Sequence, residues 1–96
     1  MVLERAEVTV KAGAEDAFAK VMLEQGLNLL MSFEGVKAVN FGRGVESPTK
    51  FLFLVQWTSV EAHRTASSDP RFAAFQSLFT PYATNGVVEH FSLLAS

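Results

Sequence analysis

The chain has 96 residues, 49% of them apolar and 19% charged, with a net charge of −2 and no cysteine. That length fits one domain over residues 1–96, and that composition excludes a disordered chain. Eight scattered basic residues give no electrostatic footprint for nucleic acid or an anionic membrane, and the missing cysteine excludes disulfides, thiolate nucleophiles and cysteine metal sites.

The first residues carry mixed charge (Glu4, Arg5, Glu7) rather than a basic stretch followed by an apolar one. No apolar run approaches the roughly 20 residues of a membrane span, so a cytoplasmic protein is the expectation. Leu3 to Val10 alternates, with Ala6, Val8 and Val10 on one side and Arg5, Glu7 and Thr9 on the other. This is the pattern of a half-buried strand. Lys11-Ala12-Gly13 turns the chain, and Glu15 and Asp16 supply the acidic start of a helix over about 14–32. Phe18, Val21, Met22 and Leu29 form its apolar stripe. Leu23, Leu27, Leu30 and Met31 widen that stripe enough to predict near-complete burial of the second half. Gly26 inside the helix costs about 1 kcal/mol against alanine and points to close packing.

Glu34-Gly35 ends the helix, and Val36 to Arg43 reads as a second strand. The glycines at 42 and 44 stand in a loop between two strands, not between a strand and a helix, which argues against phosphate binding. Lys50 to Trp57 is the most informative run: Phe51, Phe53, Val55 and Trp57 point one way, Leu52, Leu54 and Gln56 the other. Both faces are apolar, so the strand needs cover on both sides. Thr58 with Glu61 reads as a capping box opening a short helix. Ser67-Ser68 interrupts it, and Asp69-Pro70 restarts one with an aspartate cap and proline in the first turn. Phe72, Phe75 and Phe79 share a face, Pro81 ends the helix, and Val87 to Leu94 is the last strand.

The order strand, helix, strand, strand, broken helix, strand predicts an α+β fold: a ferredoxin-like βαββαβ sandwich, a four-stranded antiparallel sheet with helices on one face. Its first and third strands are central. The helices then leave Leu52 and Leu54 bare on the opposite face, with Val8-type neighbours. Covering such a face at about 25 cal/mol per Å² is comparable to the stability of a small domain, which predicts a homodimer packed sheet against sheet.

Hydrolase and zincin motifs are missing from the sequence. A histidine metal site would need His63 and His90 brought together from distant elements, and no metal is expected. Trp57 is a large core residue or a pocket wall whose N–H bonds a ligand. His63 is a helix-surface histidine or the best available proton acceptor. The phenylalanine stripe is core, or the lining of a site for a flat aromatic molecule.

The stretch Gln56-Trp57-Thr58-Ser59-Val60-Glu61-Ala62-His63-Arg64, followed by Asp69-Pro70-Arg71 and preceded by Ser32-Phe33-Glu34-Gly35, resembles the antibiotic biosynthesis monooxygenase family, nearest in style to its anthrone-oxidising members. The resemblance implies a dimeric α+β barrel and cofactor-free oxidation of a small aromatic or quinol-type substrate by dioxygen. It places Trp57 as donor to the substrate carbonyl and His63 as proton acceptor, at a position where those members carry a tyrosine. It assigns Phe53 and Ser77 to pocket positions where relatives carry an asparagine and an arginine. Phe75 of the phenylalanine stripe and Phe18 are further candidates for the pocket lining. Gln76 replaces the histidine of haem-degrading relatives, and Ala66 a histidine of quinol-oxidising ones. The competing expectation is a non-catalytic dimeric barrel that binds an apolar small molecule.

Overall fold

The computed structural model describes residues 1–95. Strands β1 (Val2–Val10), β2 (Val36–Arg43), β3 (Lys50–Trp57) and β4 (Ala83–Ser92) form one antiparallel sheet in the order β2-β3-β1-β4. Three helical units cover one face. The first, α1, spans residues 15–31 as α-helical Glu15–Val21, a π-helical turn Met22–Gly26 and α-helical Leu27–Met31. The others are α2 (Val60–Ser67) and α3 (Pro70–Ser77). This is the ferredoxin-like α+β arrangement, with β1 and β3 central as the apolar pattern requires. Among the described residues no helix is long and apolar enough to cross a membrane.

The two-residue period of β3 sets the layers. Phe51, Phe53, Val55 and Trp57 are all buried toward the helices, and Ala6, Val8 and Val10 of β1 join them. Val8 therefore lies inside, opposite Phe51, and not on the helix-free face as expected. That other face carries Leu3, Leu52, Leu54 and Gln56, each half-buried, with Val87 60% exposed beside them.

Four local expectations need correction. Leu23 and Met31 are 64% and 60% exposed, because α1 presses only the stripe of Phe18, Met22 and Leu30 onto the sheet. The cap of α2 is Ser59, whose Oγ accepts from the Ala62 N–H at 3.0 Å. Thr58 lies one residue too early for the helix that starts at Val60, and its N–H bonds the Gly35 carbonyl at 2.9 Å. Helix α3 stops at Ser77, before Pro81, in a tightened turn where Leu78 and Phe79 donate to the Phe75 and Gln76 carbonyls. Strand β4 runs from 83 to 92 rather than 87 to 94, since its register is dictated by β1, from Val10 opposite Ala83 to Val2 opposite Ser92.

Two glycines permit close approach. A Cβ on Gly26 would lie 2.6 Å from Met22 Sδ, which is the close packing its place in the helix implied. A Cβ on Gly35 would lie 2.5 Å from the Ala62 Cβ, so only glycine lets α2, with His63, settle against the end of β2 and β3. At α3 the expected cap holds: Asp69 accepts from the Arg71 N–H at 2.8 Å, with Pro70 in the first turn.

Candidate active site

The polar centre of the core is Glu4. It stands on β1 with the inward parity of Ala6 and Val8, is 7% exposed, and is flanked in the sheet by Val55 on one side and His90 on the other. Burying an ionised carboxylate costs several kcal/mol unless charge and hydrogen-bond partners offset it. The offset comes from two elements. Trp57, fully buried at the end of β3, donates its indole N–H to Glu4 Oε1 at 2.8 Å. His63 on α2 brings Nε2 to 3.6 Å from the same oxygen. The imidazole lies flat on the indole, with centroids 4.7 Å apart and planes 17° from parallel. Its other nitrogen, Nδ1, meets His90 Nε2 at 2.7 Å, so one of these two rings donates and the other accepts. No buried side-chain nitrogen or oxygen among the described residues lacks a partner.

The chain Trp57–Glu4–His63–His90 thus crosses from the core to the surface. His63 has 13% of its side chain exposed, whereas His90 on edge strand β4 is open to solvent. Burial lowers the His63 pKa below its ordinary 6.5; Glu4 opposes that shift and His90 adds to it. The groups around the ring are Glu4 from β1, His90 from β4, Trp57 from β3 and Phe72 from α3. Because the native ring resists protonation more than the unfolded one, the unfolded state binds more protons just below pH 6.5. Stability is therefore full above that pH and falls as pH drops through the native pKa. Urea midpoints at pH 7.5 and 5.5 are expected to show this fall, with a smaller one in His63→Phe; equal falls in both proteins would remove His63 as its source.

A cavity of about 350 Å³ opens beside Glu4, between the sheet and the helices. This is the low end of the size range for small-molecule sites. Phe53 and Val55 of β3 form its floor together with Ala6 and Val8; Leu30 of α1, Phe75 of α3 and Phe79 of the following turn form its walls; Gly86 and Val88 of β4 border it. Glu4 and Gln76 are the polar side chains in this lining, and Glu4 is the ionisable one. The cavity can therefore hold a flat apolar molecule with one edge against a carboxylate.

Of the expected pocket residues, Phe53 and Phe75 line this cavity, and Phe18, Ser77, Trp57 and His63 do not. Phe18 is fully buried among Phe51 (centroids 4.9 Å) and Phe79 (5.3 Å) and lies outside the lining. Ser77 is exposed, with its hydroxyl donating to the Ala74 carbonyl at 2.7 Å. Trp57 and His63 stand behind Glu4: the indole N–H is committed to the carboxylate, so Trp57 has no donor to offer a substrate. The two histidines, expected to remain apart, meet through ring nitrogens; still, no group of three or more metal-ligating side chains is found among the described residues. Glu4 and His90 are the residues that sequence reasoning passed over. Their signal is parity, a charged residue in step with Ala6 and Val8, and a histidine in step with Val88.

The antibiotic biosynthesis monooxygenase family model matches residues 1–78. Solved structures of similar fold include a protein from Bordetella bronchiseptica provisionally described as an antibiotic biosynthesis monooxygenase (24% identical, TM-score 0.86, covering 98% of this chain and 97% of that one). A second is an antibiotic biosynthesis monooxygenase at 17% identity and TM-score 0.82, with 99% and 100% of the two chains covered. A third is a variant of SnoaB, a cofactor-independent oxygenase from Streptomyces nogalater, at 19% identity and TM-score 0.83, with 99% and 94% covered. At these identities the structural likeness establishes the fold alone. No curated protein matches the chain.

Proposed function

The chain belongs to the antibiotic biosynthesis monooxygenase family, and from that premise we propose that it oxidises a small aromatic or quinol-type substrate with dioxygen, without a cofactor. The observation that carries this reading is the apolar cavity with a single ionisable group, the buried Glu4 carboxylate, on its wall. A quinol O–H or an anthrone-type C–H placed against Glu4 loses its proton to the carboxylate. The resulting anion is electron-rich enough to reduce dioxygen directly, and the dry lining of Phe53, Val55, Phe75 and Phe79 shields it from water. For an anthrone, substrate plus one dioxygen gives the quinone and one water. The Gln76 amide can donate to the developing oxyanion. Trp57 acts by holding Glu4 in place, not by touching substrate.

An oxygen electrode tests this. With an anthrone or a naphthohydroquinone in chelator-treated buffer, oxygen uptake is expected to exceed autoxidation by at least about 10²-fold, the contribution of one positioned base. Saturable quenching of Trp57, the single tryptophan, without catalysed uptake would select the second reading, a non-catalytic binder. That reading is favoured by how few polar groups line the cavity.

The active form is proposed to be a homodimer joined through the helix-free face of Leu3, Leu52 and Leu54. These side chains are only half-buried in a single chain, and Val87 extends the patch. Sedimentation of Leu54→Arg should give single chains where the wild type gives dimers; dimers in both would place the interface elsewhere.

A further inference from the structure

Glycine weakens a strand and gives it nothing to pack, yet Gly86 stands in the interior of β4. A strand glycine is ordinarily required by a positive φ, a bulge or a close neighbour. Gly86 has no positive φ. It pairs in register with Val8, and the irregularity of β4 lies beyond it, opposite Thr9 and Val10. A Cβ built on it would meet nothing nearer than the Glu7 carbonyl oxygen, 4.0 Å away. Gly86 does border the cavity, on the inward face that it shares with Val8. We propose that Gly86 is a specificity-determining position of this pocket: its missing side chain leaves room for the far rings of a linearly fused aromatic substrate whose acidic edge lies on Glu4. This deepens the reading above and rests on its taking the cavity as the ligand site.

The layout of the floor supports this. Glu4, Ala6 and Val8 follow one another along β1, with His90, Val88 and Gly86 opposite them on β4. Glu4 and Gly86 therefore stand toward opposite ends of the lining, about 14 Å apart along the strand at 3.4 Å per residue. At the first end Glu4 is buried, with the Trp57 indole bonded behind it. The exposed members of the lining are Gln76 on α3 and Gly86 and Val88 on β4, so the mouth lies between that helix and the edge strand. A single ring held by its hydroxyl at Glu4 occupies the buried part, beside Val55 and Phe53, and ends short of Gly86. Linearly fused rings continue past Ala6 and Val8 and lie over the bare backbone at Gly86, where a larger side chain would stand in their path. Gly86 touches no reacting atom. It governs which molecules fit and how tightly, not the chemistry at Glu4.

Titration under argon reads the fit without turnover, by quenching of Trp57 with a one-ring hydroquinone and with three-ring anthrone as probes. The wild type is expected to bind anthrone the more tightly. Gly86→Val should weaken anthrone about tenfold or more, the scale on which a few carbons matter in an apolar pocket, and move the one-ring probe by less than about threefold. Gly86→Ala should fall between, and it carries the same test with the smallest added side chain. Because valine suits a strand better than glycine, the urea midpoint of Gly86→Val should not fall below that of the wild type. Equal losses for the two probes, undiminished anthrone binding in both variants, or no preference for anthrone in the wild type would each overturn the assignment. Selective loss of anthrone binding in a protein that consumes no oxygen would sink the oxidation and leave Gly86 standing. Oxygen uptake whose KM for anthrone is the same in Gly86→Val would do the reverse.

Discussion

Replacement of Glu4 by glutamine is expected to lower kcat by about 10²–10⁴-fold, or roughly 2.7–5.5 kcal/mol of barrier, with a KM close to that of the wild type. Glutamine keeps the carbonyl oxygen that accepts from the Trp57 N–H, so the 2.8 Å bond and the fold around it survive. What is lost is the capacity to take a proton in the pocket. The loss should sit in kcat because the carboxylate works on the reacting proton rather than on the apolar body of the substrate, which Phe53, Phe75 and Phe79 hold. Glu4→Asp tests position separately from charge. Its carboxylate is withdrawn by one methylene, away from both the indole and the cavity, so it should be slow despite being ionisable. A glutamine variant within about threefold of wild-type kcat, with its far-ultraviolet spectrum unchanged, would mean that the base lies elsewhere. If Glu4 and His63 act as a unit, the losses in the double variant should not multiply.

Trp57→Ala is expected to be the most destabilising single change at the site, by about 3–5 kcal/mol, a large part of the roughly 5–15 kcal/mol available to a domain. The indole is fully buried; it packs against Phe33 at 6.3 Å between centroids, carries His63 on its face, and supplies the donor to Glu4. Trp57→Phe separates these contributions. It retains an aromatic ring for stacking but leaves the buried Glu4 carboxylate without its nearest donor, a loss of about 1–3 kcal/mol. Urea midpoints should therefore rank wild type, then Trp57→Phe, then Trp57→Ala. A phenylalanine variant as stable as the wild type would show that the bond to Glu4 adds nothing to folding. A loss confined to activity would make Trp57 solely a positioning residue.

The contrast between these two residues shows how far the sequence reaches. Trp57 is conspicuous as the last inward residue of a run that alternates Phe51, Phe53, Val55, and its burial follows from that period alone. Glu4 obeys the same rule in β1, yet its charge makes it read as surface until the strand is seen packed under helices. The resemblance over residues 56–64 and 69–71 led to the correct family, but it carried the donor role to Trp57 and a pocket role to Ser77, which the packing does not support.

The elements, their order, the central place of β1 and β3 and the Asp69-Pro70 helix start are legible in the chain alone, because each is written in spacings of a few residues. Tertiary structure alone decided which side chains meet. The indole reaches Glu4 across 53 positions of chain and His63 reaches His90 across 27, both through the sheet register and the seating of α2 on Gly35. Periodicity tells a side chain which way to point; only the closed fold supplies what it points at.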